Sequence, residues 1–209
     1  MHVRVLRLHN DPAKADEALK LWEEHTLPLI KSQPGFAGAT LLGDKTSGDS
    51  ISATYWDGEQ QMKDARDKVR PTGLKNLEAT GGRIVEEDEC AVEVMERFQP
   101  AKAGTFIRIT TVMSDPAKRE QGVAEFKQKV VPSVKKQPGA RSSFLFVNHS
   151  SGKTFGGSGW DSRQDLDKSE AAVVDARRDI IEDTGGKGAK TESFEVLYTE
   201  ILATAGSSR

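Results

Sequence analysis

The chain has one cysteine, Cys90, among its 209 residues. A single thiol can form no disulfide within the chain and cannot build a zinc site that needs several cysteines. This favours a reducing compartment, and the sequence begins with a short alternating run instead of the apolar segment of a signal peptide. We therefore expect a cytoplasmic protein.

An excess of charge of either sign is also missing. The chain carries 30 Lys and Arg against 32 Asp and Glu, a net charge of −2. Without a basic excess there is no general attraction for nucleic acid or for anionic lipid, and no run of about eighteen apolar residues is present to cross a membrane. The sequence predicts neither nucleic acid nor membrane as a partner. Aromatic residues make up only 6% of the chain, which limits it to modest hydrophobic cores.

What the chain does contain is an internal repeat with a constant offset of 104, the difference between Pro138 and Pro34. A period of about a hundred residues matches a complete small domain and is too long for a solenoid repeat. We predict a tandem duplication with domains at residues 1–99 and 104–203, a link at 99–104 and a polar tail at 204–209. The repeated segments are Asp11-Pro12-Ala13-Lys14 with Asp115-Pro116-Ala117-Lys118, Gln33-Pro34-Gly35 with Gln137-Pro138-Gly139, Trp56-Asp57 with Trp160-Asp161, and Thr80-Gly81-Gly82 with Thr184-Gly185-Gly186.

Each half shows the same order of predicted elements: strand, helix, two hairpin strands, helix, strand. The Asp-Pro pairs are typical of helix starts and the Pro-Gly pairs of helix ends. The order predicts an α+β protein made of two ferredoxin-like βαββαβ domains, with sheets packed face to face to cover their open sides. The predicted strands are 3–8, 37–42, 51–56 and 90–98 in the first half, and 106–112, 141–148, 154–160 and 194–201 in the second. The predicted second helices are 58–77 and 162–181.

Both halves share a second signature at the Pro-Gly turn and the strand-end tryptophan. Leu27-Pro28 … Gln33-Pro34-Gly35-Phe36 … Trp56-Asp57 and Val131-Pro132 … Gln137-Pro138-Gly139 … Trp160-Asp161 carry it. In these segments the chain resembles the antibiotic biosynthesis monooxygenase domains of the dimeric α+β barrel superfamily. The resemblance implies a fused pseudo-dimer, which could dimerise further. It also implies a ligand cavity between helices and sheet, and oxygenation of polycyclic phenols without metal or flavin.

The strand-end tryptophans are the first candidate site residues. Trp56 shares a strand face with Ser52, and Trp160 shares one with Gly156 and Ser158, because strand side chains alternate. Quinone-forming members of the family place an asparagine four residues before the tryptophan, where this chain has Ser52 and Gly156. The alternative is that both tryptophans plug the sheet and hydrogen-bond through the indole nitrogen. The further residues that haem-degrading relatives require are missing from both halves.

The first helices supply further candidates. His25 lies on an apolar stripe with Trp22 and titrates near neutrality, so it is a candidate base for a phenol, with a structural role as the alternative. Phe126 occupies the place of Trp22 in the second half, and Lys129 that of His25.

Arg4 and Arg108 repeat at one strand position and are candidates for gripping an anionic ligand group. The alternative is a structural ion pair with Glu96 and Glu200, which also repeat. Two further differences separate the halves. Glycines at 156, 157 and 159 suggest that something bulky approaches that strand, either a ligand or a side chain such as Tyr55. Residues 70–73 are expected to break the second helix of the first half, whereas residues 171–177 of the second half should continue unbroken.

The sequence therefore supports a cofactor-independent monooxygenase-like protein for a small aromatic or polyketide-type compound, with no metal site. The candidate catalytic residues are His25, Trp56 and Ser52; the candidate binding residues are Arg4, Trp22, Arg108, Phe126, Gly156, Ser158 and Trp160. The alternative is a non-catalytic small-molecule binding or stress-associated protein on the same barrel. Whether the chain is an enzyme stays open at this point.

Overall fold

The structure, a computed structural model, describes residues 1–202 and shows a mixed α+β fold. Its eight strands are all antiparallel to their neighbours in the order β1-β3-β2-β8-β5-β7-β6-β4, which closes into a barrel. The predicted α+β class is confirmed. The predicted polar tail lies outside the described residues. The strands are β1 His2–His9, β2 Phe36–Gly43, β3 Asp49–Trp56, β4 Arg83–Arg97, β5 Phe106–Met113, β6 Ala140–Val147, β7 Lys153–Trp160 and β8 Lys187–Ile201.

Helices follow β1 and β3, and again follow β5 and β7. Within each half the order of elements is the one the sequence predicts. The helices are α1 Ala15–Leu21, α2 Leu27–Lys31, α3 Glu59–Ala79, α4 Arg119–Glu125, α5 Val131–Lys135, α6 Arg163–Lys168 and α7 Glu170–Asp183. Among residues 1–202, no helix combines the length and the apolar character needed to cross a bilayer.

The chain divides into two compact units. Among the described residues, the first unit contains 1–89 and 196–202, and the second contains 90–195. The division falls inside β4 and β8, so each unit contains part of both strands. The predicted link at 99–104 lies in the connection between β4 and β5.

The helix-start and helix-stop signals act as predicted in both units. Asp11 caps the first turn by accepting a 2.9 Å hydrogen bond from the Ala13 amide, and Asp115 does the same for Ala117 at 2.9 Å. After the helices, Gly35 and Gly139 adopt φ of 77° and 73°, a left-handed conformation that glycine reaches without strain. The chain therefore turns from helix to strand in the same way twice.

A π-turn interrupts each first helix, at Trp22–Thr26 and at Phe126–Val130. In the wider π turn the residue three positions after Trp22 is rotated away from the buried face while the residue four positions after it stays there, so His25 is exposed and Thr26 is buried. Val130 is likewise buried after Phe126. The predicted stripe that included His25 is wrong at that residue, because it assumed a regular helical period.

The last strand of each half is longer than predicted. Strand β4 begins at Arg83 instead of residue 90, and β8 at Lys187 instead of residue 194. The added residues are mostly charged in β4 and mostly polar or small in β8, so neither segment shows the apolar pattern from which strands were predicted. In β4 the carboxylates of Glu87 and Glu89 contact the buried Arg4. These contacts stabilise the polar segment as a strand.

The break predicted at residues 70–73 is absent, whereas residues 171–177 are continuous as predicted. Helix α3 runs through Pro71 without interruption, and the carbonyl of Asp67 that loses its helical partner belongs to an exposed residue and can bind water. In the second unit the helix is divided at Ser169, whose hydroxyl donates a 2.7 Å hydrogen bond to the Leu166 carbonyl. That side-chain bond competes with the regular helical ladder.

Each unit buries apolar residues between its helices and its strands. The core clusters of the first unit are Trp22, Leu27, Ala39 and Leu41, and Ile30, Trp56, Met62 and Ala65. The cluster of the second unit is Val94, Phe126, Val130, Val134, Ala140, Leu145, Val147, Trp160, Leu166 and Val173. Each unit leaves a cavity beside its core cluster, between the helices and the strands.

Candidate functional site

Each unit contains a cavity between its helices and its strands. The volumes are about 140 Å³ in the first unit and about 120 Å³ in the second. They are close to the roughly 150 Å³ of an apolar cavity that holds one benzene ring, and below the few hundred Å³ of a drug-sized site. A single aromatic ring is the size of group that either cavity fits.

Strand β3 forms one wall of the first cavity. Ser50, Ser52, Thr54 and Trp56 all line it, as the alternation of strand side chains predicts. Trp56 is 1% exposed, and its indole Nε1 donates a 3.1 Å hydrogen bond to the Thr54 hydroxyl. Trp56 therefore borders the cavity and is at the same time a satisfied core residue, which combines the two alternatives drawn from the sequence.

The first helix forms the opposite wall with Trp22, Thr26 and Ile30. Asn76 of α3 fixes this wall by donating hydrogen bonds of 2.8 Å to the Thr26 hydroxyl and 3.1 Å to the Leu21 carbonyl. The indole of Trp22 packs edge-on against Tyr198, with ring centroids 5.3 Å apart. Contacts with α3 and with β8 therefore fix the position of this wall.

Arg4 lies at the sheet side of the first cavity and is 6% exposed. Its Nη2 atom donates a 2.7 Å hydrogen bond to the Met62 carbonyl and a 3.0 Å bond to Oε1 of Glu89. Its Nε atom lies 3.3 Å from Oε1 of Glu87, without hydrogen-bond geometry. Arg4 therefore joins β1, α3 and β4.

Arg108 occupies the equivalent place in the second unit. Its Nη2 atom donates a 2.5 Å bond to the Leu166 carbonyl and its Nη1 a 3.0 Å bond to the Ser169 hydroxyl. The nearest carboxylate, on Glu170, is 3.2 Å away. Burial lowers the pKa of the Arg108 guanidinium, with Glu170 opposing that shift, and a hydrogen bond from Arg177 lowers the pKa of Glu170.

The prediction that Arg4 and Arg108 form ion pairs with Glu96 and Glu200 is wrong, because other carboxylates contact these arginines. The carboxylates come from Glu87 and Glu89 in the first unit and from Glu170 in the second. Glu200 instead accepts a 2.6 Å hydrogen bond from Lys31. Arg4 and Arg108 are both buried, and each donates a hydrogen bond to the carbonyl of an equivalent helix residue, Met62 or Leu166. These contacts are structural.

The second cavity is lined largely by aliphatic side chains and by the glycine-rich strand β7. A side chain at Gly157 would meet the ring of Phe144 at 2.1 Å, and one at Gly156 would meet Phe126 at 3.4 Å. The bulky neighbours of Gly156 and Gly157 are therefore phenyl rings of the same unit, whereas Gly159 faces Ser142 and Ile107. Tyr55, the side chain considered from the sequence, is not the neighbour found at these glycines.

The structure places the predicted site residues in three groups. Trp160 is fully buried, donates a 3.0 Å hydrogen bond to the Ser158 hydroxyl, and packs in the core without lining the cavity. His25 is exposed and lies outside the set that lines the first cavity, so its position does not fit a base acting there. The others line a cavity: Arg4, Trp22, Ser52 and Trp56 the first, and Arg108, Phe126, Gly156 and Ser158 the second.

Sequence reasoning missed Arg66, Arg70 and Glu87, which also line the first cavity. The two arginines are four residues apart on α3, so helical spacing next to Met62 and Val69 could have revealed them. Glu87 could not have been found in this way, because its strand was predicted to start after it. Within the described residues, no group of three metal-ligating side chains comes together.

The first cavity thus offers an apolar space of one ring with hydroxyl groups on one wall and guanidinium groups beside it. Hydroxyl and guanidinium donors in a partly apolar site can stabilise a phenolate or another anion.

Sequence comparison finds a distant relative. No family model matches the chain. The uncharacterized protein Rv2557 of Mycobacterium tuberculosis is 26% identical over 176 residues, which cover 84% of this chain and 78% of that protein.

Solved structures show the fold more fully. An anthrone oxidase-like protein matches with a TM-score of 0.70 at 15% identity, covering 98% of this chain and 96% of that one. A ferredoxin-fold protein of Listeria monocytogenes 4b F2365, described as related to antibiotic biosynthesis monooxygenases, matches with a TM-score of 0.56 at 12% identity, covering 94% and 95%. At such identities the likeness establishes the fold alone, an α+β barrel.

Proposed function

We propose that the protein is a cofactor-independent monooxygenase-like protein that acts on a small aromatic or polyketide-type compound, one ring of which enters the first cavity. The observation that carries this proposal is the first cavity, where a space of about 140 Å³ meets the side chains of Ser52, Thr54 and Trp56 on one strand face. The fold shared with an anthrone oxidase-like protein adds support.

In this proposal the ring of the substrate occupies the apolar part of the first cavity. The Ser52 side chain, on a residue only 4% exposed, would donate a hydrogen bond to the phenolate oxygen of the deprotonated substrate. A CH2 carbon of the substrate loses its first proton to solvent, and the resulting carbanion adds dioxygen and takes up a proton to form a hydroperoxide. Cleavage of the O–O bond with loss of the second hydrogen releases water and leaves the other oxygen atom as the new carbonyl. Trp22 and Trp56 would exclude bulk water from this step.

The chain is best explained as a fused pseudo-dimer of two duplicated domains, residues 1–99 and 104–203. The support is the recurrence of the Arg4–Met62 bond as Arg108–Leu166, with both partners displaced by the same 104 residues. The cavity of the first unit is the larger of the two, about 140 Å³ against about 120 Å³, and we assign the functional site to it. A cytoplasmic location, as the lone thiol favours, and a further homodimer remain part of the proposal.

A second candidate is a binding protein without catalysis. Its support is the absence of the family's asparagine at Ser52 and Gly156, and the exposed position of His25. Such a protein would bind the same aromatic compounds and leave them unchanged.

Oxygen uptake with a panel of anthrones tests the first candidate. We expect consumption by the intact protein, lost in Ala18→Phe, which fills the first cavity, and retained in Gly122→Phe, the matched change in the second. Binding without oxygen consumption would favour the second candidate. Equal loss in both variants would contradict the assignment to the first unit.

A further inference from the structure

Three arginines surround one carboxylate at the wall of the first cavity. Oε1 of Glu87 lies 3.3 Å from Nε of Arg4 and 3.6 Å from Nε of Arg66. Oε2 of Glu87 lies 2.6 Å from Nη1 of Arg70. All four residues line the cavity, so the group belongs to its surface and not to a remote part of the helix.

The carboxylates at this wall do not balance the guanidinium groups. Glu87 is shared among the three arginines, and Glu89 contacts Arg4 at 3.0 Å. Three positive groups therefore face two negative ones. Each guanidinium also has more N–H donors than these contacts use.

Arg4 and the other two arginines differ in their access to solvent. The side chain of Arg4 is 8% exposed and is committed to Met62 and Glu89. Those of Arg66 and Arg70 are 45% and 40% exposed. An incoming anion can therefore reach Arg66 and Arg70 without dismantling the buried network of Arg4.

The second unit lacks this arrangement at the equivalent positions. Displacement by 104 residues places Glu170 where the first unit has Arg66, and Val174 where it has Arg70. The nearby Arg177 is already engaged by Glu170 through both terminal nitrogens. The pair of half-exposed arginines four residues apart on one helix is specific to the first unit.

An apolar surface for a ring lies next to this pair. Ile30, Trp56 and Val69 line the same cavity and pack together in one cluster. Val69 is adjacent to Arg70 in sequence, and Ala65 of the cluster is adjacent to Arg66. A flat apolar group against this cluster would place an anionic substituent within reach of both arginines.

We propose that the first cavity selects aromatic carboxylates, with the ring against Ile30, Trp56 and Val69 and the carboxylate held by Arg66 and Arg70. Two guanidinium groups bind a carboxylate in a fork of charge-assisted hydrogen bonds, whereas a neutral amide of the same shape offers only one acceptor. This specifies the substrate class of the proposed function and rests on that function for the use of the cavity.

The test compares benzoate with benzamide by isothermal titration calorimetry on the full chain in low salt. We expect benzoate to bind about tenfold more tightly than benzamide, the effect of one charged hydrogen bond of about 1.5 kcal/mol. The double variant Arg66→Gln with Arg70→Gln should lose this preference. Arg178→Gln, a matched change at an exposed arginine outside both cavities, should keep it.

Two more measurements make the outcome decisive. Arg66→Glu installs the residue that the second unit has at this position and should weaken benzoate binding further while leaving benzamide unchanged. In the unchanged protein, raising the salt concentration should reduce the affinity for benzoate only, since exposed charges are screened. Equal binding of the two probes, no binding of benzoate, or an unchanged preference in the double variant would each overturn the proposal.

The titrations involve no turnover. Absence of oxygen consumption would therefore leave a measured preference for benzoate standing. Conversely, oxygen uptake with neutral anthrones and no preference for benzoate would reject the carboxylate site alone.

Discussion

Tyr198 donates a hydrogen bond of 2.5 Å from its hydroxyl to Oε2 of Glu200, two residues further along β8. The same carboxylate oxygen accepts a 2.6 Å bond from Lys31 of α2. Tyr198 also packs against Trp22, which lines the first cavity. The wall of that cavity is thus connected to an ionised group outside it, and the phenol that makes the connection is expected to stay protonated in strongly alkaline solution.

We expect Tyr198 to titrate late. Burial, assisted by the neighbouring Glu200 carboxylate, raises its pKa from 10.0 to about 12. Because the folded pKa is the higher one, the stabilisation is present below pH 10 and is lost as the pH rises through 12. Phenolate absorbance measured against pH, with Tyr198→Phe as the reference, should assign the late step. A step near pH 10 that disappears in this variant would contradict the expectation.

Arg4→Met should destabilise the fold more than removal of an exposed arginine does. The change leaves the Met62 carbonyl and the Glu89 carboxylate without Arg4, whereas Glu87 keeps its contacts with Arg66 and Arg70, so we expect a cost of about 2 kcal/mol. Arg178→Gln removes a side chain that is 57% exposed and should cost much less stability than Arg4→Met does. Urea unfolding of both variants gives the comparison. Similar losses would show that Arg4 has no special structural role.

The elements of each half could be predicted because their signals are local. Helix and strand boundaries are marked by the backbone preferences of short pairs: Asp11-Pro12, Pro34-Gly35 and Trp56-Asp57. Because of the internal repeat, each pair occurs in both halves. The hairpin strands and the cavity face of β3 follow from the same kind of evidence, since alternation fixes which side chains share a face.

The features that could not be predicted depend on tertiary contacts. The π-turn that exposes His25 leaves no mark in the sequence that distinguishes it from a regular helix. The charged start of β4 becomes a strand because Glu87 and Glu89 meet Arg4, a contact between distant parts of the chain. The second helix of the second unit is divided at Ser169, whose hydroxyl accepts a hydrogen bond from Arg108. By contrast, Pro71 does not interrupt α3, where it lies on an exposed face.

Glu170 should make the second unit sensitive to acid. A hydrogen bond from Arg177 lowers its pKa below the usual 4.5, and Arg108 adds to that shift. A lowered folded pKa means that the stabilisation is present above pH 4.5 and is lost as the pH falls through the folded value. Glu170→Gln should therefore cost stability at pH 7 and progressively less below pH 4.5. Because the side chain is 43% exposed, the loss should stay below about 1 kcal/mol.

Urea unfolding at several pH values checks this, with Glu120→Gln as the control, because the Glu120 side chain is 93% exposed. The control removes an exposed carboxylate and should have little effect on stability. A constant effect of Glu170→Gln at all pH values would mean that its charge does not contribute.

Gly157→Ala should test whether the glycines of β7 serve packing. The added Cβ would lie 2.1 Å from Cζ of Phe144, so the ring or the strand must move. Overpacking of this kind costs about 1–3 kcal/mol. Gly73→Ala is the matched change, because nothing lies within 4 Å of its Cβ position inside α3, and it should stabilise the protein by about 0.5–1 kcal/mol. Opposite shifts of the two unfolding midpoints would show that Phe144 is what requires glycine at 157. A neutral Gly157→Ala would instead leave the strand free to carry side chains and would weaken the packing explanation of the glycine run.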